Sequence, residues 1–208
     1  MTAPTVFLVD DQPAVLKALA RLLASAGFAV RGFDSALAFL DSDAAGADGC
    51  LVLDLSMPDM GGLALQQALA QRGCLLPLIF LTGHGDLDSG IAAMKRGAAD
   101  FLAKPVDDAR LIAAVTRALG QNREARADCA ERAAILTRLH SLTPRETEVL
   151  DLIVEGLLNK QVAAALGTVE KTVKVHRARV MTKMQVKSVT ALVRLVDRVR
   201  AAPAPSQS

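Results

Sequence analysis

The chain has no tryptophan and no tyrosine among its 208 residues, and its six phenylalanines end at Phe101. Readers of single-stranded nucleic acid stack bases on aromatic rings, so the second half is excluded from that class. Cysteine is scarce as well: Cys50, Cys74 and Cys129 are scattered and odd in number. Such spacing excludes a disulfide framework and predicts a reducing, cytoplasmic setting, with Cys50 and Cys74 packing as small apolar residues. The longest apolar run, residues 75–81, is broken by Pro77. It falls far short of the roughly 20 residues of a membrane-spanning helix, so no membrane association is expected. Nor does Met1-Thr2-Ala3-Pro4 carry the basic and apolar regions of a secretory signal.

Glutamate is missing from residues 1–120, which hold nine Lys/Arg against thirteen Asp, a net charge of −4. Residues 121–208 hold fifteen Lys/Arg against nine acids, a net charge of +6. An acidic module is therefore joined to a basic one, and the basic one is the candidate for nucleic acid. With 51% hydrophobic and 22% charged residues, most of the chain is globular, and its length allows two small domains.

In the first module, apolar runs at 6–9, 28–30, 51–53, 78–81 and 101–103 are too short for helices and read as five strands. Segments such as 14–26 and 63–71 carry apolar residues at helical spacing, with Gly27 and Gly73 as stops. Alternation of this kind predicts an α/β fold: a parallel sheet with helices on both faces. Residues 107–119 and the charged stretch 121–140 read as one helical connector. Beyond it lie four helical blocks, 144–154, 159–166, 170–183 and 188–199. Thr143-Pro144-Arg145-Glu146 marks the first start, with Thr143 as N-cap and Glu146 three residues on. The expected domains are thus 1–120, a linker at 121–140, an all-α domain at 141–200 and a disordered tail at 201–208.

Asp10 and Asp11 follow the first strand, Asp54 the third, Thr82 the fourth and Lys104 the fifth. Residues just past the carboxyl ends of parallel strands share one crevice. Three clustered carboxylates repel one another, and a hard divalent cation such as Mg²⁺ relieves that repulsion. A carboxylate can also act as nucleophile toward a phosphoryl donor, with Lys104 and Thr82 meeting the phosphoryl oxygens. Taken singly, each Asp reads as a loop or helix cap; their coincidence at the strand ends favours chemistry.

The phrases Val9-Asp10-Asp11, Leu53-Asp54-Leu55-Ser56-Met57-Pro58-Asp59-Met60-Gly61-Gly62, Leu81-Thr82-Gly83-His84-Gly85-Asp86 and Phe101-Leu102-Ala103-Lys104-Pro105 resemble the receiver domain of bacterial two-component response regulators. The resemblance implies a flavodoxin-like five-stranded sheet and Asp54 as phosphoacceptor. By it, Asp10, Asp11, Asp54 and the backbone carbonyl of Ser56 are Mg²⁺ ligands, and Thr82 and Lys104 contact the phosphoryl group. It further implies a cis Lys104-Pro105 bond, Phe101 as a switch residue responding to Thr82, and an influence of Ser56 and His84 on phosphoryl lifetime.

In the second module the block from Glu170 to Met184 holds Lys171, Lys174, Arg177, Arg179 and Lys183. Val173, Val180 and Met184 recur near a helical period and face a small core, which leaves Lys174, Val175 and Ala178 outward. A helix of this kind can enter the major groove of double-stranded DNA. Leu142-Thr143-Pro144-Arg145-Glu146, Asn159-Lys160-Gln161-Val162-Ala163 and Lys171-Thr172-Val173-Lys174-Val175-His176-Arg177 resemble the LuxR-type helix-turn-helix of NarL/FixJ regulators. The resemblance places Lys174 and Val175 near bases, with Ala178 on the same face, and Lys160, Lys171, Arg177 and Arg179 near phosphates. Lys183 joins this DNA-contact set. One departure is Val169, which stands where a capping Ser or Thr is usual.

Together these features predict a non-enzymatic, phosphorylation-dependent transcriptional regulator. A sensor histidine kinase would phosphorylate Asp54, and the receiver would then form a homodimer on promoter DNA, with RNA polymerase as a further candidate partner. Two other classes are distinguishable. An aspartate-based phosphatase needs a second acid where Ser56 stands, and a small-molecule-gated regulator needs a large apolar pocket.

Overall fold

A computed structural model describes residues 4–83 and 87–200, with the backbone alone for 87–89. His84, for which the resemblance implies an influence on phosphoryl lifetime, Gly85, Asp86 and the tail 201–208, expected to be disordered, lie outside the described residues. The chain divides into two compact units, Met1–Arg126 and Ala127–Ser208.

The first unit is built on five parallel strands: β1 (Thr5–Val9), β2 (Ala29–Phe33), β3 (Gly49–Asp54), β4 (Leu78–Thr82) and β5 (Asp100–Ala103). Their order is β2-β1-β3-β4-β5. Helices α1 (Pro13–Ser25), α2 (Ala36–Leu40), α3 (Gly62–Gln71), α4 (Leu87–Lys95) and the start of α5 (Asp108–His140) connect and cover them. Every residue of β3 is buried, as expected of a central strand covered on both faces. Two apolar clusters result: Phe7, Phe39, Leu53, Leu65 and Phe80 belong to one, and Leu8, Leu23, Val52, Leu81 and Val115 to the other. This is the predicted flavodoxin-like arrangement.

The expected second strand sits too early. The apolar run places it at 28–30, whereas β2 runs Ala29–Phe33, in register with Thr5–Val9 of β1. As an edge strand it leaves Arg31 and Gly32 exposed, so pairing with β1 sets its extent and an apolar run does not. Gly27 and Gly73 do stop α1 and α3, with the left-handed φ of 89° and 65° that glycine takes without strain.

Helix α5 is continuous through the stretch read as a connector, and the split between units falls at Arg126–Ala127 instead of Gly120. The reason is Asn122, fully buried: its Oδ1 accepts from the Gly49 amide at 3.1 Å and its Nδ2 donates to the Leu75 carbonyl at 2.8 Å. One turn on, the Arg126 guanidinium donates to the carbonyls of Ala47 and Gly46. A receiver cut at Gly120 would strand these backbone groups without partners.

The second unit packs α6 (Pro144–Val154), α7 (Asn159–Ala165), α8 (Glu170–Lys183) and α9 (Val189–Arg200) with the end of α5. Ile135, Val149, Ile153, Val162, Val173, Val180, Met184, Leu192 and Val196 form its core. Thr143 caps α6 as expected: its Oγ1 accepts from the Glu146 amide, and Glu146 Oε2 accepts from the Thr143 amide at 2.9 Å.

Candidate functional site

Parallel register brings the polar residues of the first unit together. Val9 pairs with Leu53, so Asp10 and Asp54 follow side by side, and Thr82 pairs with Ala103, so Lys104 follows directly. Asp10, Asp54 and Thr82 are buried, while Asp11 stays exposed. Carboxylate oxygens of Asp10, Asp11 and Asp54 all lie within 4.8 Å of one another. Lys104 Nζ bridges two of them, at 2.7 Å from Asp10 Oδ2 and 3.0 Å from Asp54 Oδ2.

Burial alone pulls the Lys104 ammonium toward neutrality. Hydrogen bonds and charge from Asp10 and Asp54 outweigh it, so its pKa ends above the ordinary value. Backbone amides complete the positioning: Gln12 N–H donates to Asp10 Oδ1 at 2.9 Å, and Ser56 N–H to Asp54 Oδ1 at 3.4 Å. Sequence reasoning missed the role of Gln12, since a backbone amide carries no residue signature. Thr82 Oγ1 donates to the Gly83 carbonyl at 3.1 Å. The Lys104-Pro105 bond is cis, as the resemblance implied.

The donor set fits a hard divalent cation. Three carboxylates within reach of one point, two of them buried beside a single ammonium, make an oxygen-rich cluster that still carries excess negative charge. Phe101 is half-buried on β5 and belongs with the partly buried side chains around the Phe80 cluster. Cys50 is buried in the sheet, and desolvation pushes its thiol up to about 12, which keeps it protonated and inert.

In the second unit α8 presents Lys171, Lys174, Val175, Ala178 and Arg179 to solvent, and Lys160 is exposed on α7. Val175 keeps 46% exposure, high for a large apolar side chain. Lys174 Nζ lies 3.2 Å from Glu170 Oε1 one turn earlier, an exposed pair that holds the ammonium only weakly. Arg177 is half-buried and donates to Asn159 Oδ1 at 2.9 Å, tying α8 to the start of α7.

Lys183 departs from the exposed set. Its Nζ lies 2.7 Å from Glu146 Oε2 and 2.8 Å from the Ser141 carbonyl. The Glu146 side chain is 4% exposed, and its pKa is lowered to about 2 by the Lys183 hydrogen bond first and the Thr143 backbone amide second. Val169 starts α8 with no side-chain cap.

Two family models match the chain: "Response regulator receiver domain" over residues 6–116 and "Bacterial regulatory proteins, luxR family" over residues 140–196. The transcriptional regulatory protein FixJ of Azorhizobium caulinodans is 45% identical over 199 residues, covering 96% of this chain and 94% of that protein. The transcriptional regulatory protein TdiR of Thauera aromatica is 45% identical over 196 residues, covering 94% and 86%. Among solved structures, the response regulator StyR superposes with a TM-score of 0.85 at 44% identity, covering 95% of this chain and all of that one.

Proposed function

Because the chain belongs to the NarL/FixJ family of response regulators, which join a receiver to a LuxR-type DNA-binding domain, we propose that phosphorylation of Asp54 controls its binding to promoter DNA. The observation that carries this reading is the contact of Lys104 Nζ with both Asp10 and Asp54, beside Asp11, at the carboxyl end of the sheet.

The donor is the phosphohistidine of a sensor kinase. An Asp54 oxygen forms the new O–P bond as the N–P bond breaks, and the imidazole leaves with that bond's electron pair. Lys104 and the Thr82 hydroxyl meet the phosphoryl oxygens. Mg²⁺, held by Asp10, Asp11, Asp54 and the Ser56 carbonyl, would neutralise charge on the transferring group. Desolvation by the surrounding strands keeps the carboxylate acceptor fixed and shields the acyl phosphate from water. Ser56, where a phosphatase would need a second acid, favours storage of the phosphoryl group over turnover.

The response is dimerisation. Ile91 and Met94 are exposed on α4, at 54% and 46%, and supply apolar surface for a second copy. A single small DNA-binding unit gains from a partner on a second half-site. Lys174, Val175 and Ala178 face base edges, while Lys160, Lys171 and Arg179 neutralise phosphates; Arg177 divides its role between phosphate and Asn159. Lys183 we assign to the fold, through Glu146. RNA polymerase is the partner of the DNA-bound dimer, and the protein itself turns over no substrate.

Sedimentation velocity of wild type and Asp54→Asn, with and without Mg²⁺ plus beryllofluoride, tests the reading. A monomer that becomes a dimer only in loaded wild type is expected. An equal response in Asp54→Asn removes Asp54 as acceptor, and a loaded wild type that stays monomeric removes dimerisation.

A further inference from the structure

Gly90 lies inside α4, is buried, and is not among the glycines with positive φ. Glycine in a helix interior is disfavoured relative to alanine by its conformational entropy, and here backbone conformation supplies no reason for it. Space does. A β-carbon at Gly90 would stand 2.5 Å from Cζ, 2.7 Å from Cε1 and 2.8 Å from Cε2 of Phe101. Real β-carbons essentially never show separations under 3.0 Å. The Phe101 ring therefore rests in a notch on α4 that exists only because residue 90 has no side chain.

The helix is not free to slide away from the ring. Gln66 on α3, itself buried, donates through Nε2 to the carbonyls of Ala93 at 3.2 Å and Arg96 at 3.3 Å, tying down the last turn of α4. If the notch is filled, the ring turns about its own side-chain torsions before the helix moves. An evicted phenyl ring favours the apolar interior over water, and on its own face of the sheet that interior lies beside Phe80, the partner of Phe101, and Thr82, the partner of Ala103.

We propose that Gly90 is a positioning residue: its notch holds the Phe101 ring against α4 in the unphosphorylated protein and so sets how much phosphorylation is needed to switch it. This rests on the reading of Asp54 as phosphoacceptor and Phe101 as the responding side chain. Substituting Gly90→Ala destabilises the resting position and shifts the population toward the switched state. Because alanine improves helix propensity, the variant keeps its fold.

The test uses the full chain as wild type, Gly90→Ala, Phe101→Ala and the double variant. Sedimentation velocity gives the dimerisation constant with and without Mg²⁺ plus beryllofluoride, and fluorine NMR of a fluorophenylalanine at position 101 reports the ring in the first two proteins. Expected is roughly tenfold tighter dimerisation of Gly90→Ala without beryllofluoride, a displaced fluorine resonance, and no effect of Gly90→Ala in the Phe101→Ala background. Wild-type behaviour of Gly90→Ala, weaker dimerisation, or an effect that persists without the ring overturns the proposal. If wild type ignores beryllofluoride, the underlying reading fails, and the fluorine resonance alone decides the notch: an unmoved signal overturns it and a moved one supports it.

Discussion

The two units place their polar residues in opposite ways. In the first, the groups that would make and hold a covalent bond, Asp10, Asp54 and Thr82, are buried. In the second, the groups that would meet DNA are exposed, apart from the half-buried Arg177, and the buried carboxylate, Glu146, belongs to the scaffold. Bond-making needs charges preorganised in a dry site, where each interaction is strong. Phosphate recognition works by releasing counterions from an open surface, so burial would only weaken it. On the proposed reading, buried charge marks chemistry in one unit and architecture in the other.

That contrast breaks most readily at Lys183. Replacing it with Met leaves the Glu146 carboxylate without its ammonium, and the second unit should lose about 2 kcal/mol, less than the roughly 3–5 kcal/mol of a fully buried pair because Lys183 keeps partial exposure. Chemical denaturation followed across pH checks it. The folded pKa of Glu146, about 2, lies below its ordinary 4.5, so the stabilisation is complete above pH 4.5 and lost as pH falls through 2. The gap between wild type and Lys183→Met should therefore close over that window. A pH-independent gap, or an intact fold with selectively weakened DNA binding, would return Lys183 to the DNA surface.

Lys174 and Arg179 sharpen the comparison within the exposed face. Lys174→Ala should cost cognate binding about 1.4 kcal/mol, roughly tenfold, with little change on random DNA. Arg179→Ala should weaken both alike and reduce the salt slope by about 1. Titrations of cognate and random duplexes at several salt concentrations separate the two, and equal losses for Lys174→Ala would rule out base reading. The smallest effect concerns the bare start of α8. Val169→Ser supplies the missing cap and should raise the stability of the second unit by about 0.5–1 kcal/mol, seen as a higher thermal midpoint; an unchanged midpoint would show that Val169 contributes something a cap does not replace.

Local chemistry accounts for the elements that the sequence reading placed correctly. The apolar runs of β1, β3, β4 and β5, the Thr143 capping box and the stops at Gly27 and Gly73 each follow from residues within a few positions of one another. Elements held by distant partners were misplaced or passed over. Edge strand β2 takes its limits from β1, and the first unit ends at Arg126 because Asn122 reaches Gly49, 73 residues away in sequence. In sequence Lys183 is one more basic residue of α8, and its contact with Glu146, 37 positions earlier, is visible only in the fold.

The sequence by itself determined the alternation of strand and helix, the placing of Asp10, Asp11, Asp54, Thr82 and Lys104 at or just past strand ends, and the outward basic face of α8. All of these depend on periodicity, which a chain carries residue by residue. Tertiary structure alone decided which charges are paired, where the first unit stops and what a β-carbon at residue 90 would meet. Those are distances between segments remote in sequence, and only close packing of the folded chain sets them.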